Sequence, residues 1–334
     1  MQVLNEKDYK LFEKLVSLPQ RQVKQVMTNF LKKRYEKVIV HKDYLVAIGD
    51  VPIALVAHMD TVFKSPVSDL YYDKTKNVMW SPDGLGADDR AGVYAIIKIL
   101  QDGYRPSVIL TTDEEKGGLG ASSLAETDCP IPGLKYMIEL DRRGTNDCVF
   151  YDCFNNDFVE YVESFGFIEQ WGSFSDISFL MGAWNICGVN LSVGYRNEHS
   201  TSETLHITDL QQTINKVKIM LEETDIPNFE YIDFSYEYAN AWKNCPSESG
   251  YAYGKIYGQH CSKCKTLHSE YELFPAKTAS GLIKYFCPDC IVGNVEWCEY
   301  CGEAFEVCNT AAEKICKECM SALCIPTSKN SSNQ

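Results

Sequence analysis

A histidine and an aspartate two residues apart end an early apolar segment, and the pair has the chemistry of a metal site. His58 and Asp60 lie in residues 54–62, whose apolar run is typical of a buried strand. A histidine at a strand end can bind a metal ion, and a carboxylate two residues later can hold the tautomer of its imidazole. An ordinary hydrogen bond from a strand-end histidine explains the pair equally well, so the pair alone does not decide.

Four later segments carry similar side chains where predicted strands end or helices begin. They are residues 84–92 with Asp88 and Asp89, residues 112–116 with Glu114 and Glu115, residues 139–142 with Glu139 and Asp141, and residues 197–203 with His199 and Glu203. Each has a simple explanation by itself, such as a solvated turn or acids that favour a helix start. Together, five successive segments supply the ligands expected for a hydrolytic pair of zinc or manganese ions.

Hydrophobic periodicity predicts the elements that must position these side chains. Helices are predicted at residues 3–18, 20–33, 91–100, 118–125, 157–165 and 207–221. Strands are predicted at residues 37–41, 44–48, 53–57, 107–111, 136–140, 148–151 and 189–193. This alternation predicts an α/β fold, a three-layer and mainly parallel sheet with helices on both faces. Ligands bind such sheets at the carboxyl ends of the strands, where the polar segments fall.

The polar segments resemble the motifs of a known clan of enzymes. The run 85–92, together with His58-x-Asp60, Asp113-Glu114-Glu115 and His199-Ser-x-x-Glu203, resembles the co-catalytic di-zinc exopeptidases. That clan holds peptidase T, the carboxypeptidase G and acetylornithine deacetylase group, and the glutamyl aminopeptidase group. The resemblance covers roughly residues 1–225 with the motifs in the same order, and it implies the zinc exopeptidase fold and hydrolysis of amide bonds.

The resemblance also implies a role for each residue. His58 and Asp141 would bind one metal, Glu115 and His199 the other, and Asp88 both, while Asp60 would orient His58, Asp89 would lie beside the site and Glu114 would be the general base. Zn²⁺ is the expected metal, with Mn²⁺ and Co²⁺ as alternatives. Glu139 competes with Asp141, which is preferred because it lies nearer the carboxyl end of its strand.

Two weaker candidates lie nearby. Residues 175–178 resemble a loop of small residues and Asp that these enzymes place near the substrate, and a plain loop explains them equally well. Arg196 can hold a substrate carboxylate or pair with Glu198.

Only 29 residues separate His58 from Asp88 and 57 separate Asp141 from His199. Neither interval can contain a lid or dimerisation domain of ordinary size.

The C-terminal part of the chain is rich in cysteine. Eleven of the 15 cysteines lie from Cys245 onward, and four Cys-x-x-Cys pairs occur: Cys261/Cys264, Cys287/Cys290, Cys298/Cys301 and Cys316/Cys319. Their spacing predicts two structural Zn²⁺ sites of four cysteines each in a zinc-ribbon-like module. Either successive pairs share a zinc, or the first joins the third and the second the fourth. The predicted organisation is a catalytic domain at 1–243, a linker at 244–258, this module at 259–325 and a disordered tail at 326–334.

Composition narrows the class of function. The net charge of −14 argues against a nucleic-acid binder, and no apolar run is long enough to span a membrane. Clustered cysteines without a secretory signal indicate a cytoplasmic setting.

The sequence predicts a metallopeptidase, most simply an aminopeptidase on short peptides. A deacylase or carboxypeptidase acting on N-acyl amino acids is the alternative. An adaptor protein on a non-catalytic scaffold is the alternative of another class. The cysteine-rich module is expected to serve a protein partner or self-assembly.

Overall fold

The structure is a computed structural model that describes part of the chain in detail. The described residues are 3–172, 174–232, 259–265, 267–268, 274–277, 283–287, 290, 295–297 and 304–306. The chain divides into two compact units, Met1–Lys243 and Asn244–Gln334. The predicted linker at 244–258 and tail at 326–334 lie outside the described residues. No helix among the described residues is long and apolar enough to cross a membrane.

The helices of the first unit form where apolar residues recur at helical spacing. Helix α2 buries Val23, Met27 and Leu31 along one stripe, and the Asn5 side chain caps α1 by accepting a hydrogen bond from the Asp8 N–H (2.9 Å). The helices are α1 (Glu6–Val16), α2 (Gln20–Lys32), α3 (Ala87–Gln101), α4 (Leu119–Ala125), α5 (Asn156–Glu163), α6 (Asp176–Trp184) and α7 (Ile207–Glu222).

An eight-stranded sheet forms the centre of this unit. The strands of the unit are β1 (Val38–Val40), β2 (Tyr44–Ala47), β3 (Val51–His58), β4 (Tyr71–Asp73), β5 (Val78–Trp80), β6 (Pro106–Thr111), β7 (Tyr136–Arg142), β8 (Asp147–Val149), β9 (Ile168–Glu169), β10 (Cys187–Ser192), β11 (Tyr195–Arg196) and β12 (Thr204–His206). The large sheet has the order β1-β2-β6-β3-β7-β10-β8-β9, and its central strands β6, β3, β7 and β10 are parallel. The predicted α/β fold is confirmed.

Several short elements were not predicted. Strands β4, β5, β11 and β12 form a second sheet in the order β11-β12-β5-β4, and each has only two or three residues. Strands this short carry too little alternation to be recognised in a sequence. Helix α6 is apolar on several sides and shows no clear stripe. It replaces the loop predicted at 175–178, because Ser175 is the N-cap and Asp176 the first helical residue.

The register of the parallel strands brings the candidate residues to one edge. His58 pairs with Thr111 at the ends of β3 and β6, and Val56 pairs with Glu139 of β7, which puts His58 level with Asp141. Gly92 lets helix α3 pack tightly against the end of β7, because a Cβ at this position would clash with the Leu140 carbonyl oxygen. The sheet therefore supplies one polar edge, and α3 begins beside it.

The second unit contains short strands. They are β13 (Gln259–His260), β14 (Leu267–His268), β15 (Phe274–Lys277), β16 (Ile283–Phe286), β17 (Val295–Trp297) and β18 (Ala304–Glu306). Strands β13 and β14 pair antiparallel, and the others form a sheet in the order β16-β15-β18-β17.

Candidate metal centre

His58 is the buried end of β3 and is held from both sides of its ring. Its Nδ1 lies 3.2 Å from Asp60 Oδ1, and its Nε2 lies 3.1 Å from Asp88 Oδ1 and 3.6 Å from Asp141 Oδ1. The ring is completely buried. One nitrogen is thus occupied by an orienting carboxylate, while the other faces two carboxylates that can share a cation with it.

Asp88 connects this group to a second one. Its Oδ1 faces His58 Nε2, and its Oδ2 lies 3.1 Å from His199 Nε2. His199 Nε2 lies equally close, 3.1 Å, to Glu115 Oε2. Two groups of three ligand atoms share Asp88, His58–Asp88–Asp141 and Asp88–Glu115–His199, and each is compact enough for one metal ion. A third compact group, His58–Glu114–Glu115, overlaps them. Two ligand atoms of a tetrahedral zinc, each about 2.0–2.1 Å from the metal, lie about 3.3 Å from each other, which agrees with these distances.

Asp60 does not belong to either group, because its two oxygens are used elsewhere. Oδ1 accepts hydrogen bonds from the His58 ring and from the Glu114 N–H (3.1 Å), and Oδ2 accepts one from the Glu115 N–H (3.1 Å). This carboxylate therefore fixes the imidazole and the turn that follows β6 at the same time. Its placement agrees with the orienting role predicted for it, which stays a prediction.

Glu114 lies beside the two groups that share Asp88 and belongs to the third group with His58 and Glu115. Its Oε2 is 4.0 Å from His58 Nε2, and its side chain is 12% exposed. The pKa of Glu114 is raised to about 7, mainly by burial and also by the nearby carboxylates of Asp176, Glu115 and Asp88, while His58 opposes the rise. A carboxyl whose pKa is near neutrality exchanges a proton readily at physiological pH, as a general base must.

Asp141, and not Glu139, reaches the histidine. The Tyr195 hydroxyl donates to Asp141 Oδ1 at 3.0 Å and fixes that oxygen near His58. Glu139 is completely buried two residues earlier on β7, where its Oε2 accepts a hydrogen bond from Ser175 Oγ (2.6 Å). Of the two acids on this strand, only Asp141 belongs to a group of potential metal ligands in the described chain.

Two further carboxylates hold the backbone around Asp88. Glu203 is completely buried and accepts hydrogen bonds from the N–H groups of Gly86 (2.6 Å) and Asp88 (3.0 Å). Asp89 accepts from the N–H groups of His58 (3.2 Å) and Gly92 (2.8 Å). The sequence motif contains Glu203 but does not predict what its side chain does. Its task depends on a contact across more than 100 residues, which no local pattern reveals.

The residues present fit a pair of cations. No Lys or Arg of the described chain forms an ion pair with Asp88, Glu115 or Asp141, and the buried Glu115 Oε1 has no hydrogen-bond partner there. Burial raises the pKa of Glu115 and of Asp141 to about 7. The hydrogen bond with Asp88 raises the pKa of His199 to about 9. Protons thus collect between these ligands, where metal ions would neutralise the same negative charge.

A cavity of about 500 Å³ covers this centre. It is lined by the metal-ligand candidates Asp88, Glu115, Asp141 and His199, by Glu114, and by aromatic and basic residues that include Arg142, Arg143 and Trp171. The predicted pairing of Arg196 with Glu198 is wrong. Arg196 pairs with Asp209 (2.9 Å), and Glu198 pairs with Arg143 (2.7 Å), because β11 pairs with β12 and turns Arg196 towards the start of α7.

The second unit contains a cluster of four cysteines. The sulfur atoms of Cys261, Cys264, Cys287 and Cys290 all lie within 4.8 Å of one another, with 3.8 Å between Cys264 and Cys287. Four thiolates about 2.3 Å from zinc lie about 3.8 Å apart, so this cluster fits a tetrahedral zinc. The first Cys-x-x-Cys pair thus meets the second. Cys298, Cys301, Cys316 and Cys319 lie outside the described residues.

Solved structures share the fold of this chain. Aminopeptidase PepT from Bacillus cereus superposes with a TM-score of 0.52 at 15% identity, covering 66% of this chain and 98% of that one. A tripeptidase from Staphylococcus aureus gives 0.54 at 14% identity (66% and 100% covered). A TET aminopeptidase from a marine sediment thaumarchaeon gives 0.53 at 13% identity (66% and 98% covered). No family model and no curated protein matches the sequence. The likeness establishes the fold that the motifs implied.

Proposed function

We propose that this chain is a metal-dependent aminopeptidase that hydrolyses short peptides. The observation that carries the proposal is the pair of ligand groups that share Asp88, with the carboxyl of Glu114 beside them. Further support comes from the similar structures, which are described as an aminopeptidase, a tripeptidase and a TET aminopeptidase. A peptide is accordingly the proposed substrate.

The ligand atoms indicate how the cations would be held. His58, Asp88 and Asp141 would hold one divalent cation, and Asp88, Glu115 and His199 the other, with Zn²⁺ as the first candidate and Mn²⁺ or Co²⁺ next. When bound, the two cations supply Lewis-acid polarisation of the scissile carbonyl and lower the pKa of water.

The protein's own groups supply the proton transfers. Glu114 takes a proton from the attacking water and later delivers it to the leaving amine. Asp60 accepts a hydrogen bond from the backbone N–H of Glu114 and so fixes the backbone from which the Glu114 carboxyl extends. Tyr195 donates to Asp141 and holds that carboxylate in place. The cavity above these groups accommodates a short peptide.

The general base can be tested separately from the metal site. Glu114→Gln and Glu114→Ala are expected to retain metal content and melting temperature but to lose about 10²- to 10⁴-fold in kcat, because they remove the proton acceptor alone. The exposed Glu126→Gln is the matched control. Unchanged turnover in the Glu114 variants with full metal content would refute the proposed base.

The direction of cleavage distinguishes the proposal from its enzymatic alternative. An aminopeptidase hydrolyses peptides with a free α-amine, whereas a deacylase or carboxypeptidase releases an amino acid from an N-blocked substrate. The intervals of 29 and 57 residues leave no space for the lid that some relatives use, which favours free-amine substrates. Cleavage of N-blocked peptides only would contradict the aminopeptidase proposal.

The cysteine cluster is proposed as a structural zinc site. Four thiolates leave no coordination position for water, and a unit this small needs such a site to fold. We expect four zinc-type ions per chain, of which a chelator removes the two at the catalytic centre first. The module is proposed to serve a protein partner or self-assembly. Full metal content in a protein that hydrolyses no amide would favour the adaptor alternative.

A further inference from the structure

The arginines around the catalytic cavity differ in how their charges are balanced. Arg143 forms an ion pair with Glu198 at 2.7 Å, and Arg196 forms one with Asp209 at 2.9 Å. Arg142 has no carboxylate partner among the described residues, and its Nη2 donates to the uncharged carbonyl oxygen of Trp171 at 3.0 Å. Of Arg142, Arg143 and Arg196, therefore, Arg142 is the one whose positive charge no carboxylate balances within the described chain.

The surroundings of Arg142 increase the need for an anion. Its Nε is buried without a hydrogen-bond partner in the described chain, and Arg142 is among the residues that line the cavity with the metal-ligand candidates. A partly buried guanidinium pairs best with a carboxylate, which accepts two parallel hydrogen bonds from it. The bond to Trp171 holds the group at the cavity wall, so little side-chain freedom is left to lose when an anion binds.

The position of Arg142 along β7 links that anion to the substrate. Arg142 directly follows the metal-ligand candidate Asp141, and both residues line the same cavity of about 500 Å³. A group bound to Arg142 inside this cavity therefore lies close to the bond that would be cleaved. A short peptide carries a carboxylate in two places that can lie so close: the side chain of an acidic N-terminal residue, and its own C-terminus.

We infer that Arg142 binds a carboxylate of the peptide substrate and makes this protein selective for anionic short peptides. The inference rests on the proposed peptidase function and adds the substrate class to it. Arg143 does not share this role, because Glu198 already accepts its hydrogen bond and balances its charge.

Four dipeptides separate the two sources of the carboxylate. Glutamyl-alanine amide carries only the side-chain carboxylate, glutaminyl-alanine only the C-terminal one, glutamyl-alanine both, and glutaminyl-alanine amide neither. The full-length, metal-loaded protein is expected to cleave one singly charged peptide about 10- to 100-fold better in kcat/KM than the uncharged amide, the range of a charge-assisted hydrogen bond. The favoured peptide identifies the source.

Substitutions then assign the preference to a residue. Arg142→Gln should remove the preference for the charged peptide over the uncharged amide, while Arg142→Lys should restore part of it. Arg143→Gln is the matched control and should keep the wild-type preference. The ratio of two substrates does not depend on how much of a variant is folded, so it stays informative if Arg142→Gln is less stable.

Three results would overturn the inference. They are a wild-type protein that cleaves all four peptides equally, a preference that survives Arg142→Gln, and an equal loss in the Arg143→Gln control. A metal-loaded protein that cleaves none of the four, or any other free-amine peptide, would instead contradict the proposed function. Cleavage without selectivity contradicts only the role of Arg142.

Discussion

Asp60 offers the sharpest test of how the metal centre is built, because one carboxylate fixes both ligand groups. Its Oδ1 accepts from the His58 ring (3.2 Å) and from the Glu114 N–H (3.1 Å), and its Oδ2 accepts from the Glu115 N–H (3.1 Å). In Asp60→Asn the amide oxygen can replace Oδ1 and keep two donors satisfied. The amide NH₂ then faces the Glu115 N–H, and two hydrogen-bond donors cannot bond to each other. The hydrogen bond that positions Glu115, a member of the Asp88–Glu115–His199 group, is therefore lost.

The expected magnitude follows from this one lost bond. A hydrogen bond to a charged group contributes about 1.5–3 kcal/mol, and loss of an outer partner of a ligand typically weakens metal binding about 10- to 100-fold. The two ranges agree, since a tenfold change corresponds to about 1.4 kcal/mol. We expect Asp60→Asn to weaken the binding of the cation held by Glu115 and His199 by this amount. Asp60→Ala should weaken both cations, because the His58 ring also loses its partner.

Competition with a chromogenic chelator measures the two dissociation constants, and the exposed Asp128→Asn is the matched control. Wild-type affinity at both positions in Asp60→Ala would show that this carboxylate does not position the ligands. Complete loss of the cation at His58 in Asp60→Asn would also refute the reasoning, because it would make Asp60 a direct ligand.

Four other outcomes are expected from the same structure. In chelator-treated protein the melting temperature should fall as the pH rises from about 4 through 7. Folding raises the pKa of Glu114 and of Asp141 to about 7, so the folded state holds protons that stabilise it at low pH and loses them over this range. A melting temperature that rises over this range would contradict the assignment. Glu203→Ala should lower the free energy of unfolding by about 3 kcal/mol in a urea titration, since two backbone N–H groups at the start of α3 lose their acceptor; a loss below about 1 kcal/mol would be too small. Glu139→Gln should keep both catalytic metals by elemental analysis, whereas Asp141→Asn should lose one. Cys287→Ser should lose one tightly held zinc per chain after dialysis, and wild-type zinc content would exclude this cluster as a site.

The sequence predicts most of the main sheet and its helices, because their apolar residues follow clear periods. Helix α2 illustrates this, with Val23, Met27 and Leu31 on one buried stripe. The predictions miss β9 and the four strands of the second sheet, which are too short to show a period, and α6, whose Ser175 start looks like a loop. These elements owe their conformation to neighbours that are remote in sequence.

The candidate site shows the same limit. The residue types and order of His58, Asp88, Glu115 and His199 already indicate a two-metal centre, since few other arrangements use such ligands. The resemblance of their motifs to the zinc exopeptidases implies the fold that the solved structures then share. The roles of individual residues stay predictions until metal binding is measured.

The sequence by itself determined the α/β class, the ligand types and the cysteine spacing, because these depend on local periodicity and on side-chain chemistry. Only the tertiary structure decided which atoms meet. The register of β3 with β7 places His58 level with Asp141 and leaves Glu139 bonded to Ser175. Packing across more than 100 residues brings Glu203 to the start of α3, and ion pairs elsewhere leave Arg142 without a counter-charge in the described chain. Such pairings depend on the three-dimensional positions of distant segments, and no local pattern encodes those positions.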